Sequence, residues 1–195
     1  MSSSAFPRPI ATTRSATGIS TGKLAVWWLI ASEIVIFGGV LGSYIMHRIG
    51  HPEWASQAEH TNTWLGAFNT IVLLSSSLSA VLAHNAAEMK DGKKAAKFLW
   101  FTILGAATFL VVKSFEWTHE INAGLTITSH TFWSFYYTAA GIHGLHVLVG
   151  GIIMAVIAVD AAKGKDLQRV EAVGLYWHFV DIVWIFLFPL LYISK

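Results

Sequence analysis

Apolar residues in this chain are gathered into five long runs, at about residues 24–46, 64–84, 97–117, 132–160 and 174–193. Each is long enough to cross a hydrocarbon core, which takes about 20 helical residues. All five are expected to be helices, because an open strand leaves backbone polar groups without partners in lipid. The fourth, at about 29 residues, would reach on the order of 43 Å at the helical rise, so it must tilt or project beyond the bilayer. The fold class is therefore all-α, a polytopic membrane protein of five transmembrane helices.

The polar stretches between the runs set the orientation. "EMKDGKKAAK" and "DAAKGKDLQR" are short and basic. With the N-terminus in the cytoplasm, the inner side collects Arg8, Arg14, Lys23, Lys90, Lys93, Lys94, Lys97, Lys163, Lys165 and Arg169. The other side has Arg48 and Lys195, and Lys113 lies inside the third run. Such asymmetry predicts a cytoplasmic N-terminus and a periplasmic C-terminus. Residues 1–23, "MSSSAFPRPIATTRSATGISTGK", are rich in Ser and Thr and carry no acid, which suits a flexible cytoplasmic tail. Residues 24–195 then form one transmembrane domain.

Composition agrees with the pattern. Hydrophobic residues make up 54% of the 195 and charged ones 12%, about half the charged share of a soluble domain. A net charge of +2 offers no concentrated basic face for nucleic acid. With no cysteine, disulfides, thiolate metal sites and thiol nucleophiles are excluded within the chain. The sequence contains no Walker motif, no Gly-rich dinucleotide fingerprint and no G-x-S-x-G elbow.

The polar residues inside the runs carry whatever chemistry there is. They are Glu33 in the first, Asn69 in the second, Lys113 and Glu116 in the third, His143 and His146 in the fourth, and His178 and Asp181 in the fifth. An ionisable group near mid-bilayer costs at least about 2.5 kcal/mol, so each is a functional candidate by default. Counted from the inner helix ends, Glu33 lies at about 14 Å and Asp181 at about 11 Å, with His146 near the middle of its helix, so the three can share one layer. His143 and His146 project from one helical face, as do His178 and Asp181. Lys113 and Glu116, near the outer end of their helix, can pair with each other or snorkel to the interface.

Three uses of this layer compete. His-x-x-His, His-x-x-Asp and glutamates on separate helices are an inventory for a di-metal centre, but the usual di-iron bundle pairs Glu-x-x-His motifs with further carboxylates, and here only Glu33 and Asp181 lie deep while Glu116 sits near the outer edge. Haem fits less well, since histidines one turn apart cannot take opposite axial positions. Glu33 can serve a proton or a lipid head group. The plain alternative is interhelical hydrogen bonding, at about 0.6 to 2 kcal/mol per bond. Gly38 with Gly42, and Asn69 with Ser76 and Ala80, mark faces suited to helix packing. Trp64, Trp100, Trp117 and Trp133 stand at span ends, where an interfacial belt is expected.

Three segments go further. "WWLIASEIVIFGG", "AAGIHGLHVLVGGI" and "YWHFVDIVWIFLF" resemble the signature segments of subunit III of the haem–copper respiratory oxidases, which serve cytochrome c or quinol. "NTIVLLSSSLSAVLAHNAAEMKDGKKAAKFLW" and "SFEW" resemble the same family in the same order. The likeness covers about residues 24–193. It is to the short five-helix bacterial form, which lacks the two leading helices of the seven-helix form and so one wall of its lipid-holding cleft. Lys113 departs from the pattern, at a position where many members have a neutral residue.

The resemblance implies a non-redox accessory subunit of a proton-pumping terminal oxidase in a bacterial inner membrane. No catalytic residue, haem, copper or other metal is expected in this chain; those cofactors belong to partner subunits. The implied partners are catalytic subunit I, subunits II and IV, and phospholipid, with membership of a respiratory supercomplex open. Glu33 matches the family's embedded carboxylate, and with His146, His178 and Asp181 it is the expected proton- and lipid-supporting set. His143, Asn69 and Glu116 are expected to form a structural polar layer. Two other readings stay in view: an accessory protein of a nitric oxide reductase, and a free-standing di-metal membrane enzyme.

Overall fold

The computed structural model describes residues 21–194, and every regular element among them is helical. The order is α1 (Thr21–Gly50), α2 (Trp54–Ala58), α3 (Thr63–Glu88), α4 (Gly92–Asn122), α5 (Thr131–Ala162) and α6 (Gln168–Phe188), closed by a π-helical turn at Pro189–Ile193. Five of these are long and apolar enough to cross a membrane, the last counted as Gln168–Ile193. The tail expected at 1–23 lies mostly outside the described residues, and its last three positions already belong to α1.

The helices run beyond the apolar runs because their polar ends are capped. Asn62 Oδ1 accepts from Trp64 N and Leu65 N at 3.1 and 3.2 Å. Asp91 Oδ1 accepts from Lys94 N at 3.0 Å, and His130 Nδ1 accepts from Phe132 N at 3.1 Å. Each side chain satisfies amides that a helix start leaves unpaired. At the far end of the chain Pro189 opens the wider π turn, and the carbonyls that this turn frees are taken by other helices. Tyr44 OH donates to Leu190 O at 2.9 Å, Thr63 Oγ1 to Tyr192 O at 3.1 Å and Arg48 Nη2 to Ser194 O at 3.1 Å.

α3, α4, α5 and α6 pack in a closed ring, α3 on α4, α4 on α5, α5 on α6 and α6 back on α3. Its interior alternates large rings with small residues: Trp133, Trp177, Trp184, Phe109 and Tyr136 are buried beside Ala83, Ala95, Ala106 and Ala158. Lipid tails are as apolar as leucine, so this fit and the hydrogen bonds inside it hold the helices together. Gly105 shows how close the fit is, since a Cβ there would stand 2.6 Å from Ser76 Cβ. The Asn69, Ser76 and Ala80 face is indeed buried in the ring.

α1 lies outside the ring, against α6 and α5. Its buried residues are Ile30, Glu33, Phe37 and Tyr44, a single seam at near-heptad spacing. A Cβ at Gly38 or Gly42 would meet nothing within 4 Å, so the packing expected of that face is not made among the described residues. Of the expected belt, Trp64 is 86% exposed while Trp133 is fully buried, its Nε1 donating to Gln57 Oε1 at 3.0 Å across to α2.

Candidate functional site

The seam of α1 brings Glu33 to α5. Its Oε2 lies 3.0 Å from His146 Nε2, within ion-pair distance although Oε2 makes no hydrogen bond among the described residues. The other ring nitrogen, Nδ1, is 2.8 Å from Ile142 O. A carbonyl only accepts, so Nδ1 carries a hydrogen and, in the neutral ring, Nε2 presents a lone pair. A carboxylate facing a bare Nε2 lone pair repels it, and one proton between the two removes the repulsion. Phe37 closes one side with its ring centroid 5.3 Å from that of His146. Tyr176 closes another, its hydroxyl donating to His146 O at 3.2 Å.

This pair heads a groove of about 460 Å³ between α1, α5 and α6. The walls are apolar, from residues such as Leu29, Leu145, Val149 and Ile157, and Arg169 stands at the far end. Arg169 contacts Asp166 at 3.1 Å and Asp160 at 3.7 Å. Nearby, Lys23 ties α1 to α6 through Glu171 at 2.5 Å. The groove thus has a carboxyl–imidazole pair at one end, a guanidinium at the other and an oily wall between.

The other candidates lie elsewhere. Asp181 is buried, and neither of its oxygens has a hydrogen-bond partner among the described residues. It does not line the groove, so it does not join Glu33 and His146 there. His178 reaches α3, its Nδ1 hydrogen-bonded to Ser77 Oγ at 2.6 Å. His143 is fully buried between Trp184, stacked at 5.1 Å, and Phe109, edge-on at 5.4 Å, with no hydrogen bond to either nitrogen. Asn69 is equally buried and equally without a partner. Although His143 and His146 share a broad face, about 60° of rotation sends one into the ring and the other out to α1.

Glu116 belongs to a separate cluster that pairs with Lys113 rather than snorkelling. Lys113 Nζ donates to Glu116 Oε2 at 3.1 Å, to Tyr136 OH at 3.0 Å and to Tyr192 OH. Tyr136 OH also lies 3.0 Å from Glu120 Oε1. Glu120, Tyr136, Tyr137 and Tyr192 were not singled out from the sequence. One sign was available there: Lys113, Glu116 and Glu120 recur at i, i+3 and i+7, one face of a helix.

Among the described residues no three His, Asp or Glu side chains converge on a point where a metal ion could sit. The layer is thus split three ways, into the Glu33–His146 pair, the α3–α6 polar contacts and the Lys113 cluster.

Comparison with known proteins places this arrangement. The profile of "Cytochrome c oxidase subunit III" matches residues 12–195. The chain belongs to that family. It is 32% identical to cytochrome c oxidase subunit 3 of Corynebacterium diphtheriae over 96% of this chain and 94% of that protein. The subunit 3 of Bacillus subtilis is also 32% identical, over 87% and 84%. A "Heme-copper oxidase subunit I+III" of Aeropyrum pernix is 31% identical over 88% of this chain, which covers 22% of that longer protein. As a subunit III the chain is an accessory subunit of a terminal oxidase, an oxidoreductase complex, and a multi-pass protein of the bacterial membrane.

Proposed function

We propose that this subunit III guards the flank of a proton-pumping oxidase by holding a phospholipid in the α1–α5–α6 groove and a proton on the Glu33–His146 pair. Oxygen is reduced to water in catalytic subunit I, on haem and copper that this chain does not bind, and subunits II and IV complete the assembly. The N-terminus and the basic loops at Lys90–Lys97 and Lys163–Arg169 face the cytoplasm. Their charge draws anionic lipid to that surface.

The observation that carries this reading is the 3.0 Å contact between Glu33 and His146 at the head of an apolar groove. A carboxyl and an imidazole sharing one proton can take it up or release it without leaving a bare charge among helices. Acyl chains match the Leu29, Val149 and Ile157 walls, while Arg169 offers its guanidinium to a phosphate at the rim. A lipid seated there also keeps α1, held by a narrow seam, against the ring.

The test uses the intact oxidase purified with Glu33→Gln or His146→Leu in this subunit. Initial oxygen consumption is expected to stay near the wild-type rate, while activity during sustained turnover decays several-fold faster and less phospholipid co-purifies. Wild-type decay together with wild-type lipid content would overturn the reading.

A further inference from the structure

Around Lys113 there are fewer hydrogens than contacts that need one. The Tyr136 hydroxyl has four polar neighbours: Lys113 Nζ at 3.0 Å, Glu120 Oε1 at 3.0 Å, Tyr192 OH at 3.0 Å and Glu116 Oε1 at 3.2 Å. A phenol has one hydrogen to give, and its lone pairs accept. Lys113 can only donate to it. Tyr136 can therefore serve one of the two glutamates, and the other would face the phenol oxygen lone pair to lone pair.

Charge leads to the same place. One ammonium faces two carboxyl groups, and Lys113, Glu116 and Glu120 are all buried. With both glutamates ionised, one negative charge would stay uncompensated among packed helices, a costly arrangement. Among the described residues the groups facing this spot are Lys113, Glu116 and His119 from α4, Tyr136 and Tyr137 from α5, Tyr192 from the terminal turn, and His60 from the segment before α3. Lys113 is the one permanent cation in that set.

A single added hydrogen resolves both difficulties. Glu116 touches Lys113 directly at 3.1 Å and is the natural carboxylate of the pair. A hydrogen on Glu120 Oε1 then donates to Tyr136, which gives its own to Glu116. Tyr137, already donating to Leu125 O at 2.7 Å, leaves its oxygen 3.4 Å from Glu120 Oε2.

We propose that Glu120 is a second proton-binding site of this subunit, loaded and unloaded through the pocket at the C-terminal end of α4. That pocket, of about 250 Å³, is lined by Glu116 and Glu120 together with His60, His119 and Asn62. Two imidazoles beside a buried carboxylic acid supply ring nitrogens that can accept a hydrogen ion and pass it on. The ligand is a hydrogen ion, exchanged with water at the bundle end that carries the C-terminus. Lys113 is what limits the cluster to one stored proton. The site is separate from Glu33 and stands whether or not that pair carries a proton.

Infrared spectroscopy of the purified oxidase tests this. A carbonyl stretch of a protonated carboxylic acid, shifted in D₂O, is expected at neutral pH, absent after Glu120→Gln and retained after Glu33→Gln. Tyr136→Phe, which removes the hydroxyl between the carboxyls but keeps the ring, is expected to move the same band. His60→Ala with His119→Ala should slow its deuterium exchange several-fold. A spectrum in which neither Glu120→Gln nor Tyr136→Phe alters any carboxylic acid band would overturn the proposal. Should the Glu120→Gln complex fail to assemble, the Tyr136→Phe spectrum decides alone.

Discussion

Glu33 and His146 stand more than a hundred residues apart in the chain, yet Oε2 of one lies 3.0 Å from Nε2 of the other. The buried seam of α1 also holds Ile30, Phe37 and Tyr44, and Tyr44 makes its own polar contact by donating to Leu190 O at 2.9 Å. An interhelical polar contact in a membrane contributes about 0.6 to 2 kcal/mol. Glu33→Ala is therefore expected to loosen α1 by that amount, and Glu33→Gln, whose amide still reaches the imidazole, by less. Protease cleavage rates of the α1–α2 connection in the purified complex would register the difference. Equal rates for both variants and the wild type would refute it.

The Lys113 cluster makes a stronger demand. Removing one member of a buried ion pair leaves the other charge uncompensated and typically costs about 3–5 kcal/mol. Lys113→Met is expected to lower stability in that range, and Lys113→Met combined with Glu116→Gln is expected to recover much of it. Thermal unfolding of the wild type, Lys113→Met, Glu116→Gln and the double variant in detergent checks the pair. Simple additivity of the two single effects would show that the contact at 3.1 Å carries no coupling.

The five spans were legible because lipid enforces a length and an apolar composition that few other structures need. Their ends were not. The run expected at 97–117 is a helix from Gly92 to Asn122, since Asp91 caps it and lysine stems reach past the apolar core. The terminal turn departs from α geometry at Pro189, and its Tyr192 hydroxyl accepts from Lys113, a tertiary contact that no local pattern encodes. Spacing correctly joins His143 to His146 on one broad face, but it does not say which neighbour each meets. Trp184 takes the first and Glu33 the second. Glu120 was overlooked for the opposite reason, its place at a helix end making it look like an ordinary interfacial carboxylate.

Two glycines separate faces used inside the chain from faces left open. A Cβ at Gly105 would stand 2.6 Å from Ser76 Cβ, whereas one at Gly38 meets nothing within 4 Å. Gly105→Val is expected to destabilise the α3–α4 contact by about 1–3 kcal/mol, the usual range for overpacking. Gly38→Val should leave the isolated subunit near wild type. Unfolding of the isolated subunit in detergent compares the two, and a Gly38→Val cost equal to that of Gly105→Val would contradict the packing described.

Ser76 sits where α3, α4 and α6 meet, and its hydroxyl works in two directions. It donates to Leu73 O at 2.7 Å and accepts from Trp177 Nε1 at 3.0 Å. Its backbone carbonyl lies 3.3 Å from Thr102 Oγ1, which donates to it. Ser76→Ala would keep the close fit at Gly105 but leave a fully buried indole N–H without a partner, at a cost of about 1–3 kcal/mol. Trp177→Phe on the same background removes the stranded donor while keeping most of the ring. The double variant is therefore expected to be less damaged than the two single effects added together. Thermal unfolding of the four forms closes the cycle, and strict additivity would mean that this hydrogen bond contributes nothing to holding α6 in the ring.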